Sequence, residues 1–238
     1  MATSLIGHSM AAGQPLMSSS AVKMNFLGQQ ISSGDGREFV YVLAGATALV
    51  PGKLQQSPAE VTGDENLAFA AAAIGATQVT TTTTVTVAAN QYAGGFLAIT
   101  VTPGVGYVYR IKSHPAAAAA AVTLTLDDPI AVALTTSSRG DLVNPFSGVV
   151  VNPTTATSSS VGAGVYPVVA AEYGWIQKCG TAVLLADGAI TVGTNVIASN
   201  ATAGAVEAGA DAADLQSNVG VALTGIATTE YGFVKIDL

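Results

Sequence analysis

The sequence predicts an all-β protein built from small β-barrel or β-sandwich modules and preceded by an extended N-terminal arm. Segments that alternate apolar and polar residues, or that are rich in Val, Ile and Thr, recur along most of the chain between Gly, Pro, Asn or Asp residues. Both features are typical of β-strands. Towards the C-terminus, turn residues separate such segments at intervals of about 8 to 12 residues, the spacing expected of small barrels and sandwiches. A chain of 238 residues is long enough to bury a substantial core.

The first elements are an arm, a hairpin and a short helix. Residues 1–34 are rich in Ser, Met, Ala and Gly, and their proline and glycines oppose a long helix, so they predict an arm. The alternating, β-branched stretch at 37–57 predicts a β-hairpin that turns at Pro51-Gly52. The alanine-rich stretch at 66–76 predicts one short helix, because alanine has the highest helix propensity.

We expect a β-rich domain over 35–143 and a surface connection or linker over 144–165. Besides the elements above, the domain contains five segments with strand character, namely 79–89, 94–103, 106–114, 121–128 and 130–138. The connection has two Asn-Pro turns and a tract of Ser, Thr and Gly, which is typical of a loop.

The remaining residues, 166–238, predict a compact β-barrel-like module, in which 205–218 is the least regular part and fits a loop or one helical turn. The phrase Glu-Tyr-Gly-aromatic occurs twice in it, at 172–175 and 230–233. We predict that each phrase starts a strand, with a glycine that allows close backbone approach and an aromatic residue that anchors the core. The predicted anchors are Tyr173, Gly174, Trp175, Tyr231, Gly232 and Phe233.

A faint internal similarity connects two parts of the chain. EFVYVLAGATALVPGKLQQS (38–57) and EYGWIQKCGTAVLLADGAITVGTNVIAS (172–199) share an aromatic strand, a Gly-Ala/Thr step, an apolar strand and a glycine turn before another strand. This order is compatible with two related β modules, with residues 79–138 inserted or appended between them.

Composition argues against several kinds of partner. Only 10% of the residues are charged, against roughly 25% in an ordinary soluble domain. The net charge is −7 with 8 Lys plus Arg, too few cations to neutralise many phosphates, so we predict no nucleic-acid partner. Apolar runs are interrupted before they reach about 20 residues, so we predict no membrane span. The first cation is Lys23, which argues against a secretory signal, and one cysteine cannot form an internal disulfide, which fits synthesis in a reducing cytoplasm.

The sequence contains no convincing catalytic constellation. GHSMA (7–11) comes within one residue of the G-x-S-x-G nucleophile elbow, and Ser9, an aspartate and His114 would follow the order of α/β-hydrolases. The elbow requires a strand before the serine and a helix after it, which so short an N-terminal stretch cannot supply. Cys179 has no activating partner nearby in sequence and is predicted to pack as a small apolar residue. With 2 His and 1 Cys, we predict no metal site, no cofactor and no enzymatic activity.

Two short polar motifs also favour structural roles. The Asp-Asp-Pro sequence at 127–129 predicts a turn at the end of a strand rather than a cation site. Arg139, Gly140 and Asp141 spell an integrin-type tripeptide, but they fall in a predicted polar loop, and we favour the structural interpretation.

The low charge and the absence of a catalytic motif favour a protein that buries surface against other subunits, because interface cores are depleted in charged residues. EYGWIQKCGTAVLLADGAITVGTNVIASNATAGAVEAG, followed by NVGVALTGIATTEYGFVKIDL, resembles virion structural proteins of tailed bacteriophages, especially marine ones. Its turn glycines and strand residues are similar to those of small-barrel capsid decoration, or cement, proteins. The stretch 89–139 is similar to the same group.

The resemblance implies a non-enzymatic protein that binds the outer surface of the assembled head and stabilises it against internal DNA pressure. Its partners would be the major capsid protein and neighbouring copies of itself, with a trimer preferred because capsid junctions often have local three-fold symmetry. The protein would be made in the host cytoplasm and located on the virion surface, with no nucleic-acid or membrane partner. The arm would lie along the capsid or a neighbouring copy and become ordered on binding.

Two alternatives remain at this stage. A phage tail-tube or fibre protein would also be β-rich and oligomeric. A serine hydrolase that uses Ser9 is the more distant alternative.

Overall fold

The computed structural model describes residues 13–209 and 218–238, and their regular secondary structure is almost entirely β, which confirms the predicted fold class. The helical content of the described part is a single 3-10 turn at Thr62–Asp64. The strands are β1 (Gln30–Ser32), β2 (Glu38–Ala44), β3 (Leu54–Gln56), β4 (Leu67–Ala68), β5 (Gln78–Thr82), β6 (Thr86–Val87), β7 (Phe96–Val101), β8 (Val108–Ser113), β9 (Ala117–Ala118), β10 (Ala121–Leu126), β11 (Arg139–Val143), β12 (Ser147–Val151), β13 (Ser160–Gly164), β14 (Tyr173–Leu185), β15 (Asn195–Ala198), β16 (Val206–Ala208), β17 (Asn218–Ala222) and β18 (Tyr231–Asp237).

The chain divides into two compact units. Unit 1 takes Met1–Pro58 and Gly148–Leu238, and unit 2 takes Ala59–Ser147. This division differs from the predicted boundaries at 35, 143 and 165. Unit 2 lies between β3 and β12 in the sequence. The two residues of unit 1 that flank it, Pro58 and Gly148, are neighbours in space, since a Cβ on Gly148 would lie 3.6 Å from Cβ of Pro58. Unit 2 is therefore an insertion in a loop of unit 1.

Unit 1 contains two closed β-rings that share β14. In the first ring, called barrel 1, the strand order is β2-β12-β3-β13-β14, and β14 pairs with β2 to close it. In the second, called barrel 2, β14 is followed by β18, β17, β15 and β16. A parallel bridge between Ala186 and Val206 joins the end of β14 to β16 and completes the ring.

The two barrels are structural repeats. Each strand of barrel 1 has a match in barrel 2: β2 matches the second part of β14, β3 matches β15, β12 matches β16, β13 matches β17, and the first part of β14 matches β18. Replacing each strand by its match turns the strand order of barrel 1 into that of barrel 2. The bridge between Leu49 and Val168 in barrel 1 matches the bridge between Ile190 and Ile226 in barrel 2. The structure thus contains two related modules, but the predicted alignment of 38–57 with 172–199 is not the observed one, because β2 matches the second part of β14 rather than the strand that starts at 173. The inserted residues are 59–147 rather than 79–138.

Unit 2 is a separate small barrel. Its six-stranded sheet has the order β4-β11-β7-β8-β10-β5, and a bridge between Phe69 and Thr81 joins the two outer strands. Alternate residues of these strands point inwards. Its core includes the buried residues Leu67, Phe69, Val79, Leu97, Ile99, Ile111, Val122, Leu124 and Leu142.

Two predictions for the first part of the chain are wrong. Residues 37–57 do not form a hairpin, because β12 lies between β2 and β3 and the connection carries Leu49 into the barrel. Residues 66–76 do not form a helix. Leu67 and Phe69 both point into the core of unit 2, so the period-2 burial of this segment overrides the helix propensity of its alanines.

Two later predictions also need correction. Strands form within four of the five predicted segments of the middle region, but 130–138 makes turns and one isolated bridge, and the strand β11 follows it. The predicted linker at 144–165 contains β12 and β13. Val149 and Ala163 of these strands are fully buried, so the short apolar stretches beside the Asn-Pro turns supply part of the barrel wall.

The described part of the predicted arm, residues 13–34, lies against barrel 1. β1 pairs with β2, and Ser20 forms a bridge with Tyr173. The rest of the arm, with Ser9, and residues 210–217 of the irregular segment lie outside the described residues.

Candidate functional site

The glycines of the two Glu-Tyr-Gly phrases make room for a branched side chain in each barrel. A Cβ on Gly174 would lie 2.3 Å from Cγ2 of Val168, and a Cβ on Gly232 would lie 2.4 Å from Cγ1 of Ile226. Neither distance is compatible with a side chain. The phrases therefore occupy equivalent places, as their sequences predict, and glycine is required there by close packing.

The aromatic residues of the first phrase are covered by the arm. Trp175 is 1% exposed and its Nε1 donates to the carbonyl oxygen of Gln14 at 3.0 Å. The Tyr41 hydroxyl donates to Oε1 of Gln14 at 2.6 Å, and Nε2 of Gln14 donates to the carbonyl oxygen of Tyr173 at 2.7 Å. The Tyr41 ring stacks on Tyr173 and meets Trp175 edge-on, with centroids 5.9 and 5.0 Å apart. The arm thus buries Trp175 and Tyr41, while Tyr173 remains partly exposed.

The aromatic residues of the second phrase are exposed instead. Tyr231 and Phe233 face outwards on β18, and Val183 is directly opposite Phe233 on β14. With Leu223, they form an apolar strip, defined as Val183, Leu223, Tyr231 and Phe233, whose members are 41% to 53% exposed. The prediction that Phe233 and Tyr231 anchor the core is wrong, because Val234 and the other alternate residues of β18 fill the barrel.

A groove of about 380 Å³ runs beside the strip. Its walls come from the turn that contains Pro51 and Gly52, from the end of β13, and from the outer faces of β14 and β18. The lining includes Met17, Pro51, Val165, Val183, Tyr231 and Phe233. The lining is mainly apolar, and its polar side chains are those of Arg37, Gln177 and Thr181.

Unit 2 has an apolar surface of its own at the β7–β8 turn. Val101, Val105, Tyr107 and Val108 are 41% to 59% exposed, and we call them the hairpin patch. The Tyr107 ring stacks on Tyr109, with centroids 6.2 Å apart, which orients the outer end of the patch.

A buried polar cluster in unit 2 contains a carboxyl group whose pKa is raised. Asp64, Tyr92 and His114 are at most 6% exposed, and the Tyr92 hydroxyl donates to Oδ2 of Asp64. Burial raises the pKa of Asp64, and burial together with the bond to Asp64 raises the pKa of Tyr92. Within the described residues, Oδ1 of Asp64 has no hydrogen-bond partner.

The geometry of His114 favours a structural role in this cluster. Nε2 of His114 accepts a hydrogen bond from the backbone N–H of Tyr92 at 3.0 Å, and Nδ1 lies 2.9 Å from the carbonyl oxygen of Pro115. Nε2 is therefore the acceptor and Nδ1 carries the proton that bonds to Pro115. Both ring nitrogens therefore already have hydrogen-bond partners. Ser9, the nucleophile of the hydrolase hypothesis, lies outside the described residues.

The remaining candidates from the sequence are spread over separate places. Arg139, Gly140 and Asp141 lie in β11 rather than in a loop, and the Asp141 carboxylate accepts a hydrogen bond from the backbone N–H of Asn66 at 2.7 Å. Cys179 lies on β14 as a free, half-buried thiol. Among residues 13–209 and 218–238, no group of three or more His, Cys, Asp or Glu side chains could hold a metal ion. No helix in this same part is long and apolar enough to cross a membrane.

Sequence reasoning missed the apolar strip and the polar cluster for different reasons. The strip could have been found, because the apolar residues Val234 and Ile236 fix one face of β18 and leave Tyr231 and Phe233 on the other. The contact between Asp64 and Tyr92 joins residues that are distant in the sequence, so no local sequence pattern predicts it.

Comparisons with protein-family models, curated proteins and solved structures found no match to this chain. The class of protein that the fold defines is therefore stated from the structure alone: a β protein with a repeated barrel, one inserted barrel and apolar outer surfaces.

Proposed function

We propose that this chain is a non-enzymatic decoration protein of a tailed-bacteriophage head, which binds the outside of the assembled capsid and stabilises it. The observation that carries the proposal is the hairpin patch of unit 2, an exposed apolar surface in a chain with only 10% charged residues. Burying such a surface against another protein costs little desolvation of charge. The resemblance of the C-terminal module to capsid decoration proteins supports the phage part of the proposal.

The position of unit 2 supports its use as the capsid-binding element. The loop between β3 and β12 contains this whole barrel, whereas the equivalent connection between β15 and β16 is short. An element that one repeat has and the other lacks is not needed to close the barrel, so it is available for a partner. The acidic balance of the chain, with a net charge of −7, fits the outside of a capsid, away from the packaged DNA.

Binding to capsids tests the proposal. Purified protein mixed with expanded capsids that lack it should bind saturably and raise the temperature at which the capsids break. The double variant Val105→Ser/Val108→Ser should bind at least about tenfold more weakly, equivalent to about 1.4 kcal/mol. Val192→Ser changes an equally exposed valine of unit 1 and should bind normally.

Two results would count against the decoration function. The absence of saturable binding by the unmodified protein would remove it. Tubes or fibres formed by the isolated protein, without capsid binding, would favour the tail-tube or fibre alternative.

A further inference from the structure

The loop that precedes β7 is fastened to the end of β8 by His114. We call residues 88–95, which connect β6 to β7, the Tyr92 loop. The backbone N–H of Tyr92 donates to Nε2 of His114 at 3.0 Å. The backbone of His114 also bonds to Asn90, donating its N–H to Oδ1 at 3.1 Å and accepting the Asn90 N–H at 3.0 Å. The imidazole therefore supplies the side-chain acceptor in a set of bonds that keeps this loop closed.

The two partners of the imidazole require its neutral form, with the proton on Nδ1. The Tyr92 N–H can only donate, and the carbonyl oxygen of Pro115, 2.9 Å from Nδ1, can only accept. A second proton would have to be carried by Nε2, where it would point at the Tyr92 N–H. Because His114 and Tyr92 are 4% and 6% exposed, the two donors would face each other away from water. The closed loop thus excludes a proton that an exposed histidine binds as the pH falls below about 6.5.

In the described part of the chain, Asp64 and Tyr92 are the titratable groups that face this imidazole. The Tyr92 hydroxyl donates to Oδ2 of Asp64, while both ring nitrogens of His114 bond elsewhere. A charged imidazole would therefore gain a through-space attraction to the Asp64 carboxylate but no hydrogen bond from it. Burial raises the pKa of Asp64, so this attraction is lost in acid as the carboxyl takes up a proton.

We propose that His114 is an acid-sensitive switch for the Tyr92 loop: protonation of Nε2 by solvent breaks the bond from the Tyr92 N–H and opens the loop. The open loop binds one more proton at His114 than the closed loop does. His114 therefore favours opening about tenfold more for each unit that the pH falls below about 6. Asp64 acts in the opposite direction, because the closed form holds the proton of this carboxyl more tightly. The switch belongs to unit 2 and does not depend on capsid binding.

Hydrogen exchange at the Tyr92 amide tests the switch in the full chain, with NMR detection and correction for the intrinsic effect of pH. His114→Gln retains an acceptor for the Tyr92 N–H but does not titrate. The opening of the unmodified protein divided by that of His114→Gln should rise about tenfold between about pH 6 and 5. Asp64 is present in both chains, so its own titration cancels in this ratio. A constant loosening by the substitution does not change the slope.

Asn144→Ala is the matched control for loosening of the same loop. Nδ2 of Asn144 donates to the carbonyl oxygen of Ala93 at 3.2 Å, and this bond involves no titrating group. The variant should therefore speed exchange at Tyr92 by the same factor at every pH. A ratio for His114→Gln that is equally independent of pH would overturn the proposal.

Nitrogen NMR spectra of the histidine ring test the starting state without a change at His114. The chain has 2 histidines, so His8→Gln leaves the His114 signals alone in the spectrum. At neutral pH the proton should be on Nδ1, and the charged ring should appear in acid together with faster exchange at Tyr92. A proton on Nε2 at neutral pH, or a charged ring beside an unchanged Tyr92 amide, would also overturn the proposal.

Discussion

Trp175 and Phe233 occupy equivalent positions in the two repeats, yet Trp175 is 1% exposed and Phe233 is 50% exposed. Both side chains point away from their barrels, so neither belongs to a barrel interior. The difference comes from the arm, which covers the first position through Gln14. The same sequence phrase is thus a buried contact in one repeat and a surface in the other.

Removal of the two aromatic side chains should have unequal effects. Trp175→Ala should lower the free energy of unfolding by about 3–5 kcal/mol, as for large aromatic residues removed from well-packed sites. Phe233→Ala should lower it by about 1 kcal/mol or less, because the side chain is half exposed and full burial contributes only about 1.5–3 kcal/mol. Denaturant unfolding at low protein concentration measures both, and equal losses would contradict the assigned environments.

Methyl groups added at the phrase glycines should be destabilising. Gly174→Ala and Gly232→Ala each place a Cβ against a branched side chain, and overpacking of this kind costs about 1–3 kcal/mol. Gly225→Ala is the matched control, because the nearest atom to its Cβ would be the carbonyl oxygen of Ile190 at 3.9 Å. Thermal melting should separate the control from the two phrase variants, and three similar melting temperatures would refute the close packing.

Attachment of the arm should depend on the side chain of Gln14. Gln14→Ala removes its bonds to the Tyr41 hydroxyl and to the Tyr173 carbonyl oxygen, and leaving buried partners unsatisfied costs about 1–3 kcal/mol each. We expect faster cleavage by trypsin after Lys23, observed by mass spectrometry. Ser18→Ala removes only an exposed hydrogen bond from its hydroxyl to the carbonyl oxygen of Pro15 within the arm and should leave the rate unchanged, so equal acceleration in both variants would exclude a specific anchor.

Stability should depend on pH through Asp64. Burial raises the pKa of this carboxyl in the folded state above its ordinary value of 3.8, so the folded protein binds the proton more tightly than the unfolded chain. The resulting stabilisation is complete below pH 3.8 and is lost as the pH rises through the folded-state pKa. Asp64→Asn retains an acceptor for the Tyr92 hydroxyl but does not titrate.

The measurement is the melting temperature of the unmodified protein minus that of Asp64→Asn. This difference should fall from acid to neutral pH. A difference that is constant or rises with pH would show that the Asp64 carboxylate is stabilised in the folded state.

Unit 1 should fold without unit 2. Residues Ala59–Ser147 can be replaced by Asn-Ala-Thr-Ala-Gly, the sequence at 200–204 that joins the equivalent strands of barrel 2. The shortened chain should keep a buried Trp175, reported by its fluorescence, and a cooperative melting transition. An unfolded product would show that unit 2 is required to form barrel 1.

The sequence predicts the strand chemistry well and the strand partners poorly. Alternation in β10 and β18 is local and is visible in a short window, and the glycine turns are equally local. The insertion is not local, because it separates β3 from β12, and so β2 and β3 were predicted to pair with each other. Phe233 was assigned to the core because its phrase matches that of Trp175, whereas its exposure depends on which surface the arm covers. The partners of Asp64 come from distant positions and could not be inferred from spacing.

The strand β14 is a wall of both barrels, since its first half pairs with β2 and its second half pairs with β18. A fluctuation that frees its backbone would remove a wall from both rings at once. Amide protons near Cys179, where the two halves meet, should therefore exchange with solvent only when the whole of unit 1 opens. Leu54 and Ala163 of barrel 1 also belong to the same buried cluster as the core of barrel 2, so we expect the two repeats to unfold as one cooperative block.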